Sequence, residues 1–254
     1  MDSTSLQPSS VWKIFEELCA VPRQSHNETA IMRMLADRER TAGFEVEATP
    51  DYLVVRKPAS PGYEQSPGVV LQAHVDMVAQ KVDGSSHDFS KDAIKPRMAP
   101  DDHDWIMADG TTLGADDGIG VAIALALLED TTLVHGPLEV LLTTNEEDGM
   151  SGAMAVGSGV IKGKYLLNID GEDETELTIG CAGSIRTAAK LSTQAMPASG
   201  LVWFDVGVHG LAGGHSGVDI DKGRGNAALL LMRMLAERSE EHTSEIQSRI
   251  TISY

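Results

Sequence analysis

A chain of 254 residues with 42% hydrophobic content can form one large domain, or one domain and part of another, around a sizeable core. Its formal net charge of −18 excludes sequence-independent binding to nucleic acid, which needs a basic footprint. Cys19 and Cys181 are too few and too far apart for a disulfide framework or a structural zinc site. MDSTSLQPSS carries no secretory pattern and no apolar run reaches membrane-spanning length, so the expectation is a cytoplasmic protein without a membrane partner.

In chain order, Ser9 and Ser10 are positioned to cap a helix carrying Trp12, Phe15 and Leu18, which Pro22 prevents from continuing. Ser25 and Glu28 have capping-box spacing for a second helix through Ile31, Met34 and Leu35, with Gly43 as its stop. FEVEA and YLVVRK read as short strands, and the turn-rich stretch 58–68 as a surface loop. A repeating α/β pattern follows. The strand VVLQA runs into His74, a buried helix begins at Ile119, LEVLLTT runs into Asn145, Glu146 and Glu147, and YLLNI runs into Asp170. Apolar strands separated by helices imply an α/β fold with a mixed, largely parallel sheet flanked by helices. Ligands bind such sheets beyond the carboxyl ends of the strands, where three strands here deliver imidazole or acidic side chains. After about Gly183 the texture changes: SIRTAAKLS and LVWFDVGVHG read as strands of a different sheet. LAGGHSG and a helix from about Gly225 to Glu237 follow them, the start of a second α+β domain.

The chemistry-bearing residues each admit a plain alternative. His74 and Asp76, two apart on a strand end, share one face, so His74 can bind metal while Asp76 orients its ring; a solvated pair is the alternative. Asp116 in GADDGIG can bridge two cations from a Gly-rich turn, or Asp116 or Asp117 can cap the helix that follows. The two glutamates of NEEDG point different ways, so one can ligate metal while its neighbour holds water; a charged turn is the alternative, as it is for Asp170. Taken together, one histidine and several carboxylates converging on one sheet edge suit zinc or a similar divalent metal. A pair of such ions about 3.5–4 Å apart supports amide hydrolysis.

At AHVDM, LGADDGIG, TTNEEDGMSGA, LLNIDGED and GLAGGHSGVDI the sequence resembles the aminoacyl-histidine (Xaa-His) dipeptidases, within the wider zinc-dependent dipeptidase, aminoacylase and carboxypeptidase family. The five blocks occur in order between about Ser9 and Glu237. The resemblance implies a metal-dependent dipeptidase that uses two divalent ions, zinc ahead of cobalt or manganese, on short peptides and especially Xaa-His dipeptides. It implies that His74, Asp116, Glu147 and Asp170 are the metal ligands, with His74 and Asp170 on different ions and Asp116 between them. Asp76 then orients His74, and Glu146 is the general base for a metal-bridging hydroxide. His215 matches a family histidine that holds substrate and stabilises the oxyanion, and the parent protein is expected to be a homodimer. A related aminoacylase or carboxypeptidase, or a non-catalytic metal-binding fragment, are the alternatives.

Two departures from the family pattern stand out. Asp117 occupies a position where many relatives carry Asn. The family's returning half, with a last metal-binding histidine, has no counterpart, and from Arg238 the tail RSEEHTSEIQSRITISY leaves the pattern and resembles a translated sequencing adapter. The resulting expectation is a truncated chain with impaired activity. Residues 1–183 would be the N-terminal part of a catalytic metallopeptidase domain, 184–237 the beginning of a lid or dimerisation domain, and 238–254 a non-family tail.

Overall fold

The computed structural model of the chain describes residues 6–102, 104–171, 175–180, 187, 188, 190, 192, 205–214, 219, 221–241 and 249–250. The chain divides into two compact units, Met1–Glu176 and Leu177–Tyr254. Among the described residues no helix is long and apolar enough to cross a membrane.

The first unit opens with α1 (Ser9–Cys19) and α2 (Thr29–Thr41), both amphipathic. Ser9 and Ser10 lie inside α1 rather than capping it; Pro8 holds that position, and its carbonyl accepts the Val11 amide at 3.1 Å. Neither Ser25 nor Glu28 caps α2 through its side chain, because both are committed elsewhere, as described below. Gly43 does end α2. Its φ of +93° reverses the chain, its amide reaches the Arg40 carbonyl, and the Phe44 amide reaches Glu39. These are the paired bonds of a left-handed helix terminus, which glycine adopts at little steric cost.

The strands β1 (Glu45–Ala48), β2 (Tyr52–Lys57) and β3 (Val69–His74) follow. An excursion then carries the hairpin of β4 (Pro96–Met98) and β5 (Ile106–Ala108), before α3 (Ala115–Glu129), β6 (Leu138–Thr143), the single turn α4 (Ser151–Ala155) and β7 (Tyr165–Asn168). The central sheet has the order β1-β2-β6-β3-β7. β3 pairs in parallel with both β6 and β7, while β2 runs antiparallel to β6 and β1 to β2. The mixed α/β sheet therefore matches the expectation from sequence.

Alternating residues feed two hydrophobic layers, as the period of two along a strand requires. Leu53, Val55, Leu71, Ala73, Val140 and Leu142 pack with α1, α2 and α3 in the larger core. Tyr52, Val54, Val70 and Leu141 face the other side, against Val156, Val160 and Ile161. β6 is buried along its whole length, whereas every residue of the edge strand β7 is exposed. Because β3, β6 and β7 are parallel, their carboxyl ends coincide, and the chain leaves each of them at a chemistry-bearing residue.

In the second unit the described elements are β8 (Asp205–Val206), α5 (Ala227–Glu241) and β9 (Arg249–Ile250), with β8 and β9 paired in parallel. The expected helix near 225–237 is α5. Of the two strands expected at 184–192 and 201–210, residues 184–186, 189, 191 and 201–204 lie outside the described residues, and the second stretch contains β8.

Candidate metal centre

His74 ends β3, and its ring is almost wholly enclosed, at 1% exposure. The chain continues extended for two residues, so Asp76 falls on the same side and is fully buried. The Asp76 Oδ1 atom lies 3.3 Å from His74 Nδ1. That contact lacks hydrogen-bond alignment, and Nδ1 has no such partner.

The opposite ring nitrogen looks into the carboxylates. His74 Nε2 lies 2.9 Å from Asp116 Oδ1, 3.8 Å from Asp170 Oδ1 and 3.9 Å from Glu146 Oε2. Two groups of donor atoms lie within 4.8 Å of one another: His74, Asp116 and Asp170, and His74, Glu146 and Glu147. The structure thus brings together six of the seven residues singled out from sequence. His215, the seventh, lies outside the described residues.

The loops explain how the carboxylates are aimed. Asn145, just past β6, has a φ of +53°, a left-handed conformation that Asn tolerates better than most residues. Its side-chain amide holds the turn by donating to the Asp148 carbonyl and to Ser151 Oγ. This reversal points two successive amides at one carboxylate, Glu146 N–H to Asp76 Oδ1 at 2.9 Å and Glu147 N–H to Asp76 Oδ2 at 3.3 Å. Asp116 and Asp117 have non-helical dihedrals in the first turn of α3, joined by a cis peptide. Asp117 turns inward, and its Oδ2 accepts the backbone N–H of His74 at 3.1 Å. A Cβ on Gly120 would collide with the Asp117 carboxylate, so any larger residue at the second glycine of GIG would displace that carboxylate.

Two residues taken from sequence as a helix-capping pair act at the site instead. Ser25 Oγ donates to Asp76 Oδ2 at 2.7 Å, and Glu28 Oε1 accepts the Asn145 N–H at 3.0 Å. A Ser-x-x-Glu spacing has no feature that tells a cap from such long-range contacts.

Electrostatics separates Asp76 from its neighbours. Burial works against its charge, but the His74 contact, the Glu146 amide and the Ser25 hydroxyl prevail and lower it to about 2. It is the anionic anchor of the site. Burial pushes Asp117 up to about 8, Glu147 to about 7 and Asp170 to about 6, each reinforced by neighbouring carboxylates. Burial also disfavours charge on His74, yet Asp116, Asp76 and Asp170 outweigh it and raise the imidazole to about 11. A cluster that takes up protons in this way is short of positive charge. One imidazole nitrogen and several carboxylate oxygens, converging within bonding reach of a common point, are the donor set that a divalent cation fits.

The α/β fold is shared with known peptidases. The chain superposes on aminoacylhistidine dipeptidase from Vibrio alginolyticus with a TM-score of 0.66 and 37% identity, covering 95% of this chain and 49% of that one. It superposes on aminopeptidase PepT from Bacillus cereus with a TM-score of 0.52 and 28% identity, covering 65% and 43%. In sequence it is 45% identical over 241 residues to the cytosol non-specific dipeptidase of Escherichia coli strain K12, covering 94% of this chain and 49% of that protein. The chain is therefore a relative of the cytosol non-specific and aminoacylhistidine dipeptidases along nearly all of its own residues, and it spans about half the length of the relatives it matches. No family model matches it.

Proposed function

We propose that this protein is a metal-dependent dipeptidase, acting on short peptides and preferring Xaa-His dipeptides. The observation that carries the proposal is the convergence of His74, Asp116, Glu146, Glu147 and Asp170 at one sheet edge. The kinship with enzymes named as dipeptidases supports the substrate class.

The residues divide by role. His74, Asp116, Glu147 and Asp170 would hold two divalent ions, zinc ahead of cobalt or manganese. The resemblance implies that His74 and Asp170 would serve different ions, and His74 lies within 4.8 Å of both the Asp116–Asp170 pair and the Glu146–Glu147 pair. Bound metal supplies a Lewis acid that polarises the scissile carbonyl and acidifies water. Asp76, 3.3 Å from His74 Nδ1, is the residue placed to orient the ring. Glu146 removes a proton from the attacking water and returns it to the departing amine, so the peptide bond breaks with no net proton change at the residue. His215, on the resemblance, steadies the substrate carbonyl, and the same resemblance makes the working protein a homodimer.

Zinc-dependent release of histidine from Ala-His, measured beside zinc binding, tests the assignment. In the full-length parent protein, Glu146→Gln is expected to abolish release while zinc stays bound. Retained turnover removes Glu146 as the base, and lost zinc makes it a ligand.

A further inference from the structure

Between α1 and α2 the segment Arg23–Glu28 runs beneath the metal-type cluster. Ser25 bonds to Asp76 there, Glu28 accepts the Asn145 amide beside Glu146, and Gln24 forms a parallel bridge with Met77. Arg23 has no part in the chemistry described so far. It is 2% exposed, and its backbone carbonyl accepts the Met77 amide at 3.1 Å.

Its guanidinium joins two separate pieces of chain. Nη1 donates to the carbonyls of Val75 at 2.9 Å and Asp76 at 3.3 Å, just past His74; Nη2 donates to the carbonyl of Gly114, two residues before Asp116. Its hydrogen bonds go to backbone carbonyls rather than to a carboxylate, so the cation is solvated by the two loops that carry the ligands. Fixed-fork geometry lets arginine hold two carbonyl groups at a set spacing, which a single ammonium does not do. The glycines around it fit this role. A Cβ on Gly114 or Gly118 would stand 2.6 Å from Nη2. Burial of the guanidinium opposes its charge, while Asp76, Asp117 and Asp116 support it.

We propose that Arg23 is a positioning residue that sets the separation between the His74–Asp76 strand end and the Asp116 turn, and so the geometry in which the site receives its metal. The proposal rests on the metal-site assignment above. Residues that orient ligands typically contribute about 10–100-fold to metal affinity when mutated, and that is the scale expected here.

The test uses zinc alone as probe, competed against a chromophoric chelator, together with hydrogen exchange on metal-free protein. Arg23→Met is expected to weaken zinc by about 10–100-fold, with Arg23→Lys in between, since it keeps the charge and loses the fork. Gly118→Ala, which crowds Nη2 without removing Arg23, is expected to weaken zinc in the same direction. Leu128→Ala in the α3 core serves as the stability control and is expected to leave zinc affinity of the folded protein unchanged. In metal-free protein, Arg23→Lys is expected to speed exchange at 75–77 and 114–118 together, ahead of the rest of the sheet. Arg23 variants with unaltered zinc affinity, or a Leu128→Ala loss equal to theirs, overturn the proposal. If no variant and not the parent chain binds zinc, the metal-site assignment fails, and uniform exchange in Arg23→Lys then rejects the positioning role independently.

Discussion

At the amino end of β6, Glu139 is buried and Arg56 lies directly across in the antiparallel register with β2. Arg56 reaches Glu139 at 3.0 Å, Glu45 at 3.0 Å and Glu47 at 2.9 Å, while the amides of Lys162 and Gly163 each donate to Glu139 at 2.7 Å. At the carboxyl end of the same strand, Glu146 and Glu147 join Asp116, Asp117 and Asp170, and the nearest side chain able to carry positive charge is His74. One acidic cluster is neutralised within the fold; the other raises the proton affinities of its own members. Counting carboxylates does not distinguish them. What distinguishes them is how much countercharge the fold supplies: Arg56 bonds directly to its carboxylates, whereas Arg23, at the carboxyl end, spends its hydrogen bonds on backbone carbonyls.

The largest effect should come from the uncompensated end. Asp116→Asn keeps the side-chain shape and removes a charge facing His74, so it is expected to cost more zinc affinity than the about 10–100-fold typical of losing a residue that only orients a ligand. Chelator competition measures it. The compensated end should respond in stability instead. Arg56→Met leaves Glu139 buried without its cation and is expected to cost about 3 kcal/mol in urea unfolding, with zinc affinity unchanged. A zinc loss there would erase the distinction between the two ends.

A smaller effect concerns Glu39, fully buried beside Arg38, which also pairs with Glu17 and Glu129. Burial raises Glu39 from 4.5 to about 7 despite the Arg38 contact. Its folded form therefore holds a proton more tightly than its unfolded form. The stability this contributes is complete below pH 4.5 and is lost as pH rises through about 7. Glu39→Gln should flatten that part of the stability profile, read by urea midpoints between pH 4 and 8. An unchanged slope assigns the dependence to other groups.

Much of the first unit was legible because its strands are strongly apolar and each ends at a polar residue with few alternatives. His74, Asp116, Glu146, Glu147 and Asp170 were visible as strand-end or turn residues, and the parallel order of β3, β6 and β7 was enough to bring them together. The contacts beneath them were not legible. Ser25 and Glu28 carry a local capping signature, and only the fold reveals that Asp76 and Asn145 claim them instead. Arg23 follows a proline in a short connection, with nothing in its neighbours to announce that it is buried. The β4–β5 hairpin was missed because three-residue strands show no usable alternation. The inward turn of Asp117 depends on backbone dihedrals that Gly-rich turns leave open.

The central claim is that the carboxyl end of the sheet is a metal site, and zinc titration of the unmodified chain beside Asp116→Asn near pH 7 tests it most directly. Saturable binding in the parent chain that is lost in Asp116→Asn, with both proteins folded, is the predicted result. Absence of zinc binding in the folded parent chain, or equal binding in both proteins, would contradict it.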